Sequence, residues 1–202
     1  MTWYDKHKES SMKIIANIPV LTFASQKEWQ QWLAKQYQQP GVWLKFARKN
    51  SGIPTVVYAE ALEVALCYGW IDGQNKSYDE RYYIQKFTPR RPKSLWSKNN
   101  VKHAEALIAA KKMKPPGLAA IESAKLDGRW EAAYDPPSTI KMPPDFQAAL
   151  DANPKAKQFY GTLNRANTYA FCLRVQTAKK PETRQARIEK FITMLQAGQK
   201  LY

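Results

Sequence analysis

The chain has 202 residues, 44% of them hydrophobic and 12% aromatic, which excludes a disordered polypeptide and allows one domain or two small ones. Its formal charge of +15 points to anionic partners such as nucleic acid, phosphorylated ligands or lipid headgroups, and no apolar run is long enough to cross a bilayer as a helix. Residues 1–140 carry 21 basic and 13 acidic groups and residues 141–202 carry 11 and 4, so both halves are basic and an acidic domain with a basic tail is excluded.

Met1 to Ser10 lack the apolar stretch and cleavage site of a secretory leader, so a cytoplasmic protein is expected, with residues 1–24 as an N-terminal tail. Ser25 and Glu28 have the spacing of a capping box, and Trp29, Trp32, Leu33 and Tyr37 then recur at helical spacing. Pro40 and Gly41 end that helix. Val42, Leu44 and Phe46 alternate with Trp43, Lys45 and Ala47, the pattern of a strand with two distinct faces. Tyr58, Ala61, Leu62, Ala65 and Leu66 mark a second helix that Gly69 closes. Trp70 to Gly73 and Tyr82 to Phe87 read as two strands joined by a polar loop from Gln74 to Glu80. A third helix follows Ser97, and Pro115-Pro116 starts a fourth that ends near Gly128.

Four prolines between Asp135 and Pro144 make a stiff connector. Beyond it only helical patterns occur: Phe146, Ala149 and Leu150; Ala156, Phe159, Tyr160 and Leu163 after Asn153-Pro154; Tyr169, Ala170 and Leu173; then Ile188, Phe191, Ile192 and Leu195, stopped by Gly198. The expected fold is α+β, with N-terminal helices packed on a small antiparallel sheet, followed by an all-helical C-terminal domain. The expected divisions are a mixed α/β domain at 25–134, the proline-rich linker at 135–144 and the helical domain at 145–202, with the boundary near residue 140.

Between Arg81 and Lys114 ten Lys or Arg residues face one acid, Glu105, and are threaded with Tyr82, Tyr83, Phe87 and Trp96. Cations interleaved with rings on a proline-stiffened segment suit an anion, a planar group or a nucleic-acid backbone. Arg90 and Arg91, between Pro89 and Pro92, are the sharpest signal, because a restrained backbone lowers the entropy lost when a guanidinium docks. The plainer reading pairs one of them with Asp72 or Asp79 and leaves the other in water. Asp72 bonds turn amides, or it faces the same concavity as Arg81, Arg90 and Arg91 and orients a guanidinium. Trp96 is core or a lid. Arg184 projects from the apolar stripe of the last helix and needs a carboxylate partner, failing which it serves an anionic ligand. The ligand-binding candidates are therefore Trp70, Asp72, Arg81, Phe87, Arg90, Arg91, Trp96 and Arg184.

The chain contains no Walker-type phosphate loop, GxGxxG, HExxH, GxSxG or CxxC, and only His7 and His103 are available for imidazole chemistry. His103 reads as a solvated helix residue, His7 as uninvolved, and Glu60 and Glu63 as surface or pairing residues of one helix. Cys67 and Cys172 read as reduced core thiols. No catalytic residue, metal or cofactor is assigned.

Gly41–Lys45, Tyr58–Glu63, Ala65–Asp72, Lys86–Ser94 with Trp96-Ser97, Met113–Gly117 and Ala178–Arg184 followed by Arg187–Glu189 together resemble the YdeI/OmpD-associated family, also called bacteriocin-protection proteins, over roughly residues 25–200. The resemblance implies a bacterial protein connected with envelope stress, tolerance of bacteriocins or cationic antimicrobial peptides, and association with an outer-membrane porin. It brings no reaction and no cofactor. A chain without a leader meets such a porin as a precursor or through a regulatory contact. The leading expectation is thus a non-enzymatic stress-protection protein that binds an anionic or protein partner through a basic, aromatic groove from Trp70 to Trp96. The competing readings are nucleic-acid binding and an enzyme acting on an anionic metabolite, with Asp72 as proton carrier and Arg81, Arg90 and Arg91 as clamps.

Overall fold

Ile14–Ile15 (β1) and Ile18–Leu21 (β2) form a tight antiparallel hairpin, turned by Ala16 and Asn17 at φ of 50° and 61°. Two left-handed residues in succession match the twist of the flanking strands, although Ala is an unusual choice for the first of them. The sequence reading placed this segment in the tail. The computed structural model describes residues 13–202, so His7, the leader reading of Met1 to Ser10 and the start of the 1–24 tail lie outside the described residues.

The chain divides into two units, one running to Ser94 and including Asn100–Glu131, the other made of Leu95–Asn99 and Ala132–Tyr202. In the first, β2 leads into helix α1 (Gln26–Gln36), where Ser25 accepts a bond from the Glu28 amide at 3.4 Å. The Glu28 carboxylate reaches back to the amide of Ala24 at 2.9 Å, one residue earlier than in a standard capping box. Strand β3 (Val42–Ala47) follows, then helix α2 (Tyr58–Cys67), closed by Gly69 at φ 71°, and strands β4 (Trp70–Ser77) and β5 (Tyr82–Pro89). β4 continues four residues into the segment expected to be a loop.

The sheet order is β1-β2-β3-β5-β4. It is antiparallel as expected except between β2 and β3, which run parallel because α1 carries the chain back to the starting end. Val42, Leu44, Phe46, Trp70 and Phe87 point to the helices and are at most 1% exposed. There they meet a nest of rings from α1: the Trp29 ring lies 5.4 Å from that of Trp32 and 5.9 Å from that of Phe87. The indole nitrogens of Trp29 and Trp70 donate to the carbonyls of Ala61 and Tyr37, so two of these large residues are buried at no polar cost. Helices α3 (Lys98–Ala109) and α4 (Pro115–Leu126) complete the described elements before the connector.

The second unit holds α5 (Pro144–Asp151), α6 (Pro154–Gly161), α7 (Arg165–Gln176) and α8 (Pro181–Gln196). Proline at the start of three of these helices supplies a preset φ and lacks an amide that would otherwise go unbonded. Phe146, Leu150, Phe171, Val175, Ile188, Phe191 and Leu195 form their common core. Trp96 is 2% exposed in this unit, and its strand-like segment bonds Tyr134 from both sides, Tyr134 donating to Trp96 at 3.0 Å and Lys98 donating to Tyr134 at 2.9 Å. Both cysteines are free and buried, each in its own unit.

Arg184 finds the carboxylate its position calls for. Its Nε and Nη2 bond the two oxygens of Asp145 at 2.5 and 2.8 Å, and Nη1 donates to the carbonyl of Val175 at 2.9 Å. The Arg184 bond holds the Asp145 carboxyl below the ordinary carboxylate range. A group with a depressed folded pKa stabilises above its unfolded value, near 3.9, and loses that contribution as pH falls through the folded value. Both partners are partly solvated, so Asp145→Asn should cost only about 1 kcal/mol at neutral pH. Melting curves of parent and variant should converge below about pH 3. A gap that stayed constant from neutrality down to that pH would show that the ion pair is not its source.

Candidate functional site

Strand register builds a basic, aromatic surface on the sheet face turned away from α1 and α2. Trp43 lies opposite Lys86, Lys45 opposite Ile84 and Ala47 opposite Tyr82, and alternate residues of a strand share a face. Lys76 joins them from β4, paired with Ile84. Ile18, Trp43 and Ile84 form an apolar floor edged by Ile15, Val20 and Tyr78. The ammonium of Lys45 stands 3.9 Å from the Tyr82 ring centre and 4.4 Å from that of Tyr78, where Lys13 also sits at 4.6 Å. Lys76 and Lys86 lie 5.1 and 5.9 Å from the Trp43 ring. Each is a cation–π geometry, which orients the ammonium without neutralising it. Among the described residues, none of these four lysines has an acid within ion-pair distance.

Asp72 belongs to the opposite face, in an open recess of about 730 Å³ shared with Arg48, Tyr58, Asn75, Tyr83 and Gln85. Tyr58 starts α2 and donates to Asp72 Oδ2 at 2.9 Å, and Gln85, only 5% exposed, approaches the same oxygen at 3.5 Å while donating to the Gly73 carbonyl at 2.7 Å. Burial, with the Asp72 charge next, pushes the Tyr58 phenol well above the ordinary tyrosine value, so it stays a donor at neutral pH. Arg48 is held across the recess by Ser77 Oγ at 2.7 Å and the Asp79 carbonyl at 3.4 Å. The arrangement offers a fixed acceptor and a guanidinium, suited to positioning a polar group.

The remaining sequence candidates do not join Asp72. Trp70 and Phe87 are core residues at 0% exposure, and Trp96 is buried in the second unit. Arg81 is exposed in the turn before β5, where Asp79 accepts the amides of Arg81 and Tyr82. Arg90 and Arg91 follow the far end of β5; the Arg90 amide donates to Gly69 and that of Arg91 to Ser94 Oγ. Eight residues of strand put about 25 Å between Arg81 and this pair, so the three guanidinium groups cannot converge on one ligand as the enzyme reading requires. Arg184 is engaged by Asp145. His103 is exposed on α3, and Glu60 accepts the Val57 amide at 3.3 Å.

Sequence reasoning noted the alternation in β3 but did not connect Lys45 with Lys76, Tyr78, Tyr82 and Lys86. The signal was available only for β3 and β5; the contribution of β4 is hidden by its polar composition.

These features define an α+β protein with a mixed sheet and a separate helical unit, in which no helix among the described residues is long and apolar enough to cross a membrane. Residues 139–198 match the family described as Bacteriocin-protection, YdeI or OmpD-Associated. Residues 21–120 match a different one, described as Domain of unknown function (DUF8412), so the resemblance read over residues 25–200 is divided between two family models. Neither the curated proteins nor the solved structures gave a match. The match over this C-terminal stretch suggests a bacteriocin-protection, YdeI-like function.

Proposed function

We propose that the chain protects by holding an acidic protein partner against the outer face of its sheet. The observation that carries this reading is the row formed by Lys13, Lys45, Lys76 and Lys86, poised over Trp43, Tyr78 and Tyr82 with no acid of the described chain to satisfy it. A protein partner is favoured over single-stranded nucleic acid because Trp43 is only 2% exposed and Lys45 already lies against the half-buried rings of Tyr78 and Tyr82, which leaves little free ring on which a base would stack. Carboxylates need only the ammonium groups. The OmpD-associated wording of the family description supports an acidic segment of such a porin as one partner of this kind.

The test replaces Lys45, Lys76 and Lys86 by Ala together and measures binding to polyglutamate, to duplex DNA and to single-stranded RNA at several salt concentrations. Polyglutamate affinity should fall about tenfold or more in the triple variant, with a weaker dependence on salt. A strain lacking the protein should regain bacteriocin survival from the parent chain and not from the triple variant. Equal protection by both, or RNA binding tighter than polyglutamate binding, would overturn the proposal.

A further inference from the structure

A second basic feature lies elsewhere on the first unit and owes nothing to the sheet face. A cleft of about 370 Å³ opens among α1, α2 and the segment joining α3 to α4, lined by Gln30, Glu63, Tyr68, Lys111, Lys112 and Lys114, with Val64 and Leu107 as apolar wall. That volume lies in the range of small-molecule sites. Three lysines face one acid there, and among the described residues none of the three is in an ion pair.

The backbone is shaped to bring these lysines in. Helix α3 ends in a Schellman motif, with the Lys112 amide on the Leu107 carbonyl and the Lys111 amide on that of Ile108, both at 2.9 Å. Lys111 occupies the left-handed position of this motif at φ 55°, where glycine is the unstrained residue. A lysine is therefore kept where it costs stability, a pattern associated with functional sites. The Lys114 amide then bonds the carbonyl of Cys67 at 3.1 Å, tying the basic segment to the end of α2. Lys114 and Lys112 stand near enough to Cys67 to act on its thiol, although burial dominates and pushes that thiol up to about 11.

We infer that this cleft binds a small organic anion, a carboxylate or phosphate on an apolar body, with Lys111, Lys112 and Lys114 taking the charged head and Tyr68, Val64 and Leu107 the body. Neutral analogues lose the head contacts, and inorganic phosphate loses the apolar ones.

Calorimetric titration of the full chain with phenyl phosphate, benzoate and benzamide tests the inference. One of the two anions should bind with one-to-one stoichiometry, the tighter of them identifying the head group, and benzamide should not. Lys112→Ala and Lys114→Ala should each weaken it about tenfold. Lys111→Gly should weaken it while raising the melting temperature by about 2 °C, a combination that a purely structural lysine would not give. Saturation with the anion should also slow alkylation of Cys67 at pH 9. Lys45→Ala with Lys86→Ala should leave the titration unchanged. Absence of binding by both anions, equal binding of benzamide, indifference to Lys111→Gly, or equal loss in the sheet-face variant would overturn it.

Discussion

Gly117→Ala should destabilise the first unit by about 3 kcal/mol, although helix propensity alone favours alanine by about 1 kcal/mol. Gly117 lies in the first turn of α4, and a methyl group there would stand 2.3 Å from the Cys67 carbonyl oxygen and 2.8 Å from its carbon. Both are backbone atoms at the end of α2, so relief requires the two helices to part by about an ångström, loosening side chains packed at crystal-like density. Gly69 makes the matching approach from the α2 side, where an added methyl group would stand 2.8 Å from the Pro116 carbonyl oxygen. Thermal melts should show a fall of about 6–12 °C, and hydrogen exchange should quicken at Ala65–Gly69 and Pro116–Ile121. Stability equal to or above the parent would mean that the helices are not in this contact. Because α2 and Lys114 bound the lysine cleft, the variant should also lose anion binding.

Phe171→Ala should cost the second unit about 4 kcal/mol. The ring is fully buried and packs edge-on against Phe191 at 4.9 Å, with Tyr160 at 6.0 Å and Phe146 at 6.2 Å. Those partners come from three other helices, so deletion removes transfer energy and aromatic pairing together and leaves a cavity that α5, α6 and α8 would all have to move to fill. Native-state hydrogen exchange should report the loss as lowered protection across the four helices. Phe171→Leu, which retains most of the volume, should recover more than half of it. If the two variants lose equally, the geometry of the rings rather than the filled space is what matters.

Local signals carried much of this architecture. Ser25 named the start of α1, Gly69 the end of α2, and the spacing of Phe146, Phe171, Ile188 and Leu195 the helical unit, because caps and helical periodicity act within a few residues. Non-local pairing was less legible. The two-residue strand β1 is too short to show alternation, and its turn uses Ala16-Asn17 instead of a glycine-containing pair. The end of β4 read as a loop because Gly73 to Ser77 are exposed, and an edge strand whose outer half faces water has no apolar alternation to detect. The candidate site suffered most. Arg81, Arg90 and Arg91 are near in sequence but lie on an extended segment, whereas Lys45, Lys76 and Lys86 are scattered in sequence and meet through register. The partners of Asp72, Tyr58 and Gln85, come from α2 and β5, and Arg48, which lines the same recess, follows β3.

The register shift between Asp72 and Asn75 in β4 has a bearing on how the protein behaves at high concentration. β4 is the outermost strand, and its unpaired amides and carbonyls form a template onto which another chain could add. The bulge breaks the regular spacing of that template midway, and Lys76 sets a charge just beyond it. Fibrous stacking along this rim is thereby discouraged, and straightening the strand by deleting one residue of the bulge would leave the molecule prone to stick to its own copies.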